Sequence, residues 1–193
     1  MKRNIGRNIK WVLVLVCALF ATGTVAVAQT SKEEKREDVR KMAAQTLTKL
    51  YEAQPGAKSA IENAAGYAVF SNFGMKIFVA GGGKGRGIAI NNSTGEETFM
   101  RMVEVQAGLG FGIKKFRLVF VFDNRTELNK FIESGWQLGG QGTAAAKAGG
   151  QGSAFAGAMS VSPGVWLYQL TDTGLALELT GKGTKYSRDK KLN

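Results

Sequence analysis

Two stretches of this chain place glycine at every second residue, and this spacing restricts the fold more than any other feature. The first alternates Gly81, Gly83, Gly85 and Gly87 with Gly82, Lys84, Arg86 and Ile88, and the second alternates Gly108, Gly110 and Gly112 with Leu109, Phe111 and Ile113. A period of two is the period of a β-strand, so each stretch predicts a strand with one face free of side chains. Two explanations stay open at this point. Either another part of the protein packs closely on this face, or a thin apolar ligand such as a lipid chain lies along it.

The helical pattern is limited to a few segments, so the chain is predicted to be an α+β domain dominated by antiparallel strands. Apolar residues at helical spacing predict an N-terminal amphipathic helix that ends at Pro55-Gly56, followed by a short helix over 57–64. The first helix either packs on its own domain or lies on a membrane surface. One interior helix is expected over 126–134, with Asp123 or Asn124 as its N-cap and Gly135 at its end.

Short apolar runs separated by turn residues predict the strands. They are expected at residues 67–70, 77–90, 98–106, 116–122, 136–138, 165–170 and 175–179, with the last two forming a hairpin. Residues 139–157 are rich in glycine, alanine and glutamine and are expected either as a loop or as strands with small side chains. The basic segment 182–193 is expected to be a partly exposed tail.

The first 28 residues have the pattern of a secretory signal peptide. A basic head precedes the apolar run 11–20, and Ala26-Val27-Ala28 fits the small-x-small sequence before a cleavage site. We therefore expect cleavage after Ala28 and an exported, periplasmic protein that forms a single domain over 29–193. The alternative is an uncleaved membrane anchor, because residues 11–28 are barely long enough to span a bilayer.

The composition of residues 29–193 restricts the class of function. They contain 22 Lys and Arg against 15 Asp and Glu, and neither histidine nor cysteine. The positive charge favours anionic partners, and export argues against nucleic acid. The usual general bases, thiol nucleophiles and transition-metal ligands are missing, so we expect no enzyme, no cofactor and no metal site. An enzyme that uses only Lys, Tyr and carboxylates is the remaining catalytic alternative.

Several blocks of the sequence together resemble the SYLF domain, a family also described as an actin-regulator domain in eukaryotes. They are Ala65-Gly66-Tyr67-Ala68-Val69-Phe70, the glycine stretch 81–87, Val105-Gln106-Ala107-Gly108-Leu109-Gly110, Leu118 to Phe122 with the following helix, and Trp136-Gln137-Leu138-Gly139. The resemblance covers residues 60–180, although Ser71 stands where the family commonly has proline. It implies binding of acidic phospholipids without catalysis. The actin binding of eukaryotic relatives is not expected of an exported bacterial-type protein.

The predicted function is therefore non-enzymatic binding of acidic phospholipids in a bacterial cell envelope. Basic side chains would attract the anionic surface, and a glycine-floored groove would take up part of an acyl chain. The candidate residues are Lys84, Arg86, Lys114, Lys115 and Arg117, together with Gly83, Gly85, Gly108 and Gly110. Each cation alone is more simply explained by a solvated strand face or turn, and the cations favour a binding surface only as a set on neighbouring strands. The alternative function is a structural or stress-related envelope protein that binds another polyanion or a protein partner.

Overall fold

The computed structural model describes residues 31–71, 82–105, 116–138, 147–148, 155–171, 174–176 and 184–193. These residues form an antiparallel sheet with helices, which confirms the predicted α+β class. The helices are α1 (31–53), α2 (Gly56–Glu62) and α3 (Arg125–Ser134). The strands are β1 (Gly66–Ser71), β2 (Gly82–Asn91), β3 (Glu97–Val105), β4 (Arg117–Phe122), β5 (Trp136–Leu138), β6 (Lys147–Ala148), β7 (Met159–Ser162), β8 (Val165–Thr171), β9 (Gly174–Ala176) and β10 (Thr184–Arg188).

The chain divides into an N-terminal unit, Met1–Glu37, and a compact unit, Asp38–Asn193. In the first unit residues 31–37 are helical, and Arg36 Nη1 lies 3.3 Å from Glu33 Oε2. The second unit contains α1 from Asp38 onward, α2, α3 and the whole described sheet.

The strand order in the sheet is β5-β10-β3-β2-β1-β4-β8-β7-β6, and β9 pairs with β8. The strand β1 is central, because Val69 lies opposite Ile88 of β2 on one side and opposite Val119 of β4 on the other. Side chains alternate along each strand, so the sheet has two faces. We call the face that carries Val69 the α1 face and the face that carries Phe70 the α3 face.

The core on the α3 face is aromatic. The Tyr186 ring lies 4.8 Å from that of Phe70 and 5.0 Å from that of Phe120, measured between ring centroids. Tyr186 belongs to β10 and Phe120 to β4, which are separated by three strands, or roughly 19 Å in a flat sheet. Their contact requires the sheet to curl around this core. Phe131 of α3 fills the same space, 5.4 Å from Phe120.

The core on the α1 face is mainly aliphatic, with Phe99 and Tyr168 as buried aromatic members, and it joins the sheet to the first two helices. Met42 and Leu50 of α1 and Ile61 of α2 are buried in the same cluster as Val69 and Ile88. Since apolar residues recur along α1 at helical spacing, the helix buries one stripe against the sheet. The predicted packing of this helix on its own domain is therefore what the structure shows for residues 38–53.

The interior helix and the late hairpin agree with the sequence prediction. Asn124 has an extended backbone, and its Oδ1 accepts a hydrogen bond of 3.0 Å from the backbone N–H of Glu127. Gly135 ends α3 with φ of 70°. The strands β8 and β9 pair antiparallel with Thr171 opposite Gly174, as the predicted hairpin requires.

The expectation of a tail over 182–193 is wrong for the strand β10. Thr184–Arg188 lies between β3 and β5, and Tyr186 is completely buried. Leu192 is also buried, and the Asn193 side chain bonds both the N–H and the C=O of Phe99, at 3.0 and 2.8 Å. The basic composition obscured this strand, because Lys185, Lys190 and Lys191 are exposed while Tyr186 and Leu192 are buried.

Candidate functional site

The strand β2 separates glycines from cations by simple alternation. Gly85 and Gly87 point to the α3 face, whereas Lys84 and Arg86 point to the α1 face and are exposed. Further along β2 this face carries Ile88, which is buried beneath the helices. The cations therefore lie at the end of the sheet where β2 begins, beyond the apolar core of the α1 face.

The register of the neighbouring strands adds three more cations to this end of the α1 face. Arg101 of β3 lies directly opposite Arg86, and Ser71 separates Arg86 from Arg117 of β4 in the same row. In the next row Lys84 lies opposite Val103, which in turn lies opposite Lys185 of β10. We call these five residues the basic patch: Lys84, Arg86, Arg101, Arg117 and Lys185.

The dimensions of the basic patch follow from strand geometry. It spans five adjacent strands, from β10 to β4, or roughly 19 Å measured along the curled sheet, and two rows, or about 7 Å along the strands. Four of its members are exposed, and Arg117 is half-buried. A surface of this size matches several lipid headgroups better than a single small anion.

Within the described residues, no acidic side chain forms an ion pair with the basic patch. The one side-chain hydrogen bond of the patch there goes to an uncharged acceptor, from Arg101 Nε to Ser187 Oγ at 3.0 Å. By contrast, Arg40 of α1 pairs with Glu97 at 2.9 Å. Like charges directly opposite each other, such as Arg86 and Arg101, destabilise a strand pair. An anion bound between them would relieve that repulsion.

Two serine hydroxyls lie in the same row as the arginines. Ser71 is buried between Arg86 and Arg117, and Ser187 lies opposite Arg101. Arginine forks and hydroxyl groups are common donors to phosphate oxygens. The row Ser187, Arg101, Arg86, Ser71 and Arg117 thus offers donors suited to phosphate groups.

The bare glycine face is filled by the protein itself where the structure describes it. A Cβ atom added at Gly85 would lie 2.6 Å from the Met102 methyl group, and one added at Gly87 would lie 2.6 Å from Phe70 Cε1. An acyl chain over these two glycines would have to displace both side chains. Of the two explanations for the glycine spacing, close packing is therefore the one seen at Gly85 and Gly87.

The remaining predicted site residues divide into two groups. Gly83 lies in β2 opposite Glu104 of β3. Four candidates lie outside the described residues: Gly108, Gly110, Lys114 and Lys115.

Sequence reasoning missed two members of the basic patch. Arg101 follows Phe99 and precedes Val103 at strand spacing, so alternation alone would have placed it on one face with them. Its position opposite Arg86 depends on the register of β2 and β3, which no local pattern reveals. Lys185 was hidden in the segment predicted as a tail.

Three tyrosines near the α1 face have raised pKa values. Burial raises the pKa of Tyr168 to about 12. Burial is also the main reason for the raised pKa of Tyr67, with a smaller effect of Glu97, and for the raised pKa of Tyr51. All three side chains stay protonated near neutral pH, so none of them offers a phenolate as a nucleophile or general base.

Two kinds of feature are absent from the described ranges. No group of three or more His, Cys, Asp and Glu side chains there could hold a metal ion. Among the helices in those same ranges, none has the length and apolar character needed to cross a membrane.

Comparison with known proteins gives one informative relative. No protein-family profile matches the chain. The chain is 30% identical over 161 residues to the beta cell expansion factor A of Aeromonas veronii, and the match covers 83% of this chain. It spans 59% of the length of that relative. The name of the relative states an effect on beta cells but neither a ligand nor a reaction.

Proposed function

We propose that this protein is a non-enzymatic binder of acidic phospholipids in a bacterial cell envelope, and that the basic patch is its contact with the anionic membrane surface. The observation that carries the proposal is the grouping of five cations on one face of adjacent strands, with no acidic partner among the described residues. The resemblance of residues 60–180 to the SYLF domain and the signal-like N-terminus support it independently.

The binding mechanism is electrostatic. A basic side chain close to an anionic membrane gains about 1 kcal/mol. Five such contacts supply on the order of 5 kcal/mol at low ionic strength, enough for reversible attachment. The attraction falls within a Debye length of about 10 Å at 0.1 M salt. Since Gly85 and Gly87 are covered by the protein's own core, uptake of an acyl chain at those positions is not part of this mechanism.

The test is co-sedimentation of residues 29–193 with vesicles of phosphatidylglycerol or of phosphatidylcholine. The double variant Arg86→Gln/Arg101→Gln removes two charges, so binding to phosphatidylglycerol should weaken about thirtyfold at low salt. Its free energy of unfolding should not fall, because the substitution also removes a repulsion between opposite residues. Raising salt from about 0.05 M to about 0.5 M should weaken binding of the unaltered protein.

The matched control is Lys130→Gln/Arg188→Gln, which removes the same charge on the other side of the sheet. Lys130 lies on α3, and Arg188 is exposed and points to the α3 face. Both residues lie on the α3 side of the sheet, away from the face that carries the basic patch. Equal loss in both variants would show that only net charge matters, and binding that ignores lipid charge and salt would exclude the proposal.

The alternative partner is another polyanion or an acidic protein surface, and the same patch would serve it. Inclusion of a soluble polyanion such as heparin in the vesicle experiment distinguishes such a partner from a lipid surface. If the Arg86→Gln/Arg101→Gln variant loses heparin binding while no vesicle binds the unaltered protein, the envelope polyanion is the correct partner.

A further inference from the structure

A cleft of about 290 Å³ lies at the other end of the sheet from the basic patch. Its polar lining comes from Ser59 and Asn63 at the C-terminal end of α2 and from Asp123 directly after β4, and its apolar lining includes Phe155. Arg117 opens β4 and Asp123 follows its last residue, so the two sites are roughly 20 Å apart.

The carboxylate in this cleft is held in a fixed orientation. Asp123 Oδ2 accepts a hydrogen bond of 3.0 Å from the indole N–H of Trp166. The other oxygen, Oδ1, has no hydrogen-bond partner among the residues that the structure describes. Asp123 therefore presents one oriented, negatively charged acceptor to a ligand.

The amide of Asn63 is oriented in the same way. Its Nδ2 donates to Ser59 O at 2.8 Å and to Ser59 Oγ at 3.1 Å, so its donors are used within α2. The remaining atom, Oδ1, is a second acceptor.

An aromatic ring completes the cleft. The Phe155 ring stacks on Trp166 with 4.6 Å between centroids and 9° between planes, and both rings are partly buried. A cation over an aromatic ring gains about 0.5–1 kcal/mol at an exposed site. The stack therefore fixes the Phe155 ring beside the two oriented acceptors.

We propose that this cleft binds a primary ammonium group, either of a free amine or of an aminophospholipid headgroup. The ammonium group supplies three N–H donors and a positive charge, which match the Asp123 carboxylate, the Asn63 Oδ1 acceptor and the aromatic ring. The lining contains no Lys or Arg, so it does not suit an anion. One carboxylate is also too few for a calcium site, which takes six to eight oxygen ligands. This inference does not depend on the basic patch.

The test is a titration of residues 29–193 with ethanolamine, followed by the NMR shifts of the backbone amides of Asn63, Asp123 and Phe155. Saturable shifts confined to this cleft are expected. The isosteric variant Asp123→Asn keeps an acceptor for Trp166 but loses the charge, so affinity should fall at least about fivefold. The control Glu133→Gln removes a carboxylate from the exposed surface of α3 and should leave affinity unchanged.

Further probes separate the ammonium group from other ligands. Tetramethylammonium keeps the charge but has no N–H donor, so it should bind more weakly than ethanolamine, and equal affinity would overturn the assignment. Glucose should produce no shifts, and saturable binding of glucose in place of ethanolamine would also overturn it. A Trp166→Phe variant keeps the ring stack and frees Asp123 to rotate, so it should weaken ethanolamine binding without unfolding the chain.

The source of the ammonium group is decided by two arms of the same experiment. If free ethanolamine and free lysine shift the cleft amides as strongly as vesicles of phosphatidylethanolamine do, the ligand is a soluble amine. If only the vesicles act, and Asp123→Asn abolishes the effect while Arg86→Gln/Arg101→Gln does not, the ligand is the lipid headgroup. Absence of shifts both with every free amine at tens of millimolar and with vesicles of phosphatidylethanolamine would refute the proposal.

Discussion

The substitution Gly87→Ala decides whether the bare face of β2 is interior packing or a ligand groove. The added Cβ would lie 2.6 Å from Phe70 Cε1, and Phe70 Cδ1 and the carbonyl oxygen of Val69 are closer still. Neither neighbour can yield easily. The Val69 carbonyl belongs to the β1 backbone, and the Phe70 ring is surrounded by the rings of Phe120, Phe131 and Tyr186.

The size of the effect follows from two opposing terms. Overpacking a filled core costs about 1–3 kcal/mol. Replacing glycine by alanine in a strand returns about 0.5–1 kcal/mol through the lower entropy of the unfolded chain. Since the Cβ meets backbone as well as side chain, the cost should exceed the gain. We expect a net loss of about 1–2 kcal/mol, which lowers Tm by roughly 2–8 °C for a domain of this size.

The assay is urea and thermal unfolding of residues 29–193, with Gly56→Ala as the matched control. A Cβ at Gly56 would have Gln54 Nε2 as its nearest neighbour, 3.7 Å away, so this variant should be unchanged or up to about 1 kcal/mol more stable. A Gly87→Ala protein as stable as the parent, but with weakened vesicle binding, would refute the packing argument and support a ligand groove.

The remaining predictions concern stability. Burial raises the pKa of Tyr168 to about 12, above the value of 10 in the unfolded chain, so the protonated side chain contributes stability that is intact below pH 10 and is lost between pH 10 and 12. Tyr168→Phe should remove up to roughly 3 kcal/mol of this alkaline loss, measured as unfolding free energy against pH. At neutral pH the same variant should be neutral or slightly stabilising, because the hydroxyl is buried without a hydrogen-bond partner in the described residues. Leu192→Ala should cost about 2–4 kcal/mol in urea unfolding, since Leu192 is buried in the α1-face core, and an effect below about 0.5 kcal/mol would mean that residues 189–193 do not pack there. Arg40→Ala should cost about 1–2 kcal/mol in urea unfolding, and only part of this cost should disappear at high salt, because Arg40 pairs with the partly solvated Glu97 and also lies over the Phe99 ring, 5.4 Å from its centroid.

Local patterns predicted the elements of the fold well. The interior helix was expected over 126–134 and spans Arg125–Ser134, because its N-cap and its final glycine are local signals. The strand predicted over 116–122 is Arg117–Phe122, and every residue from Leu118 onward is buried, as its continuous apolar run indicates. The prediction for the segment 182–193 was wrong. Its many lysines indicated an exposed tail, and this signal outweighed the short strand-like alternation of Thr184 and Tyr186 with their exposed neighbours.

The candidate site was predicted only in part. Alternation along β2 was enough to place Lys84 and Arg86 opposite the glycines. Arg101 and Lys185 come from strands separated from β2 by loops of the chain, and their positions depend on pairing register. Register is fixed by which apolar residues each strand buries, so it is a property of the assembled core and of no single segment.

The sequence by itself determined the local patterns of the chain. These are which residues alternate along a strand, where the helices end, and that β2 has one face without side chains. The tertiary structure decided what occupies that face and which cations become neighbours. The reason is that strand pairing joins residues distant in the chain, such as Arg86 with Arg101 and Tyr186 with Phe70. The curl of the sheet then turns the glycines inward, with Gly85 against Met102 and Gly87 against Phe70, and leaves the cations on the outer side.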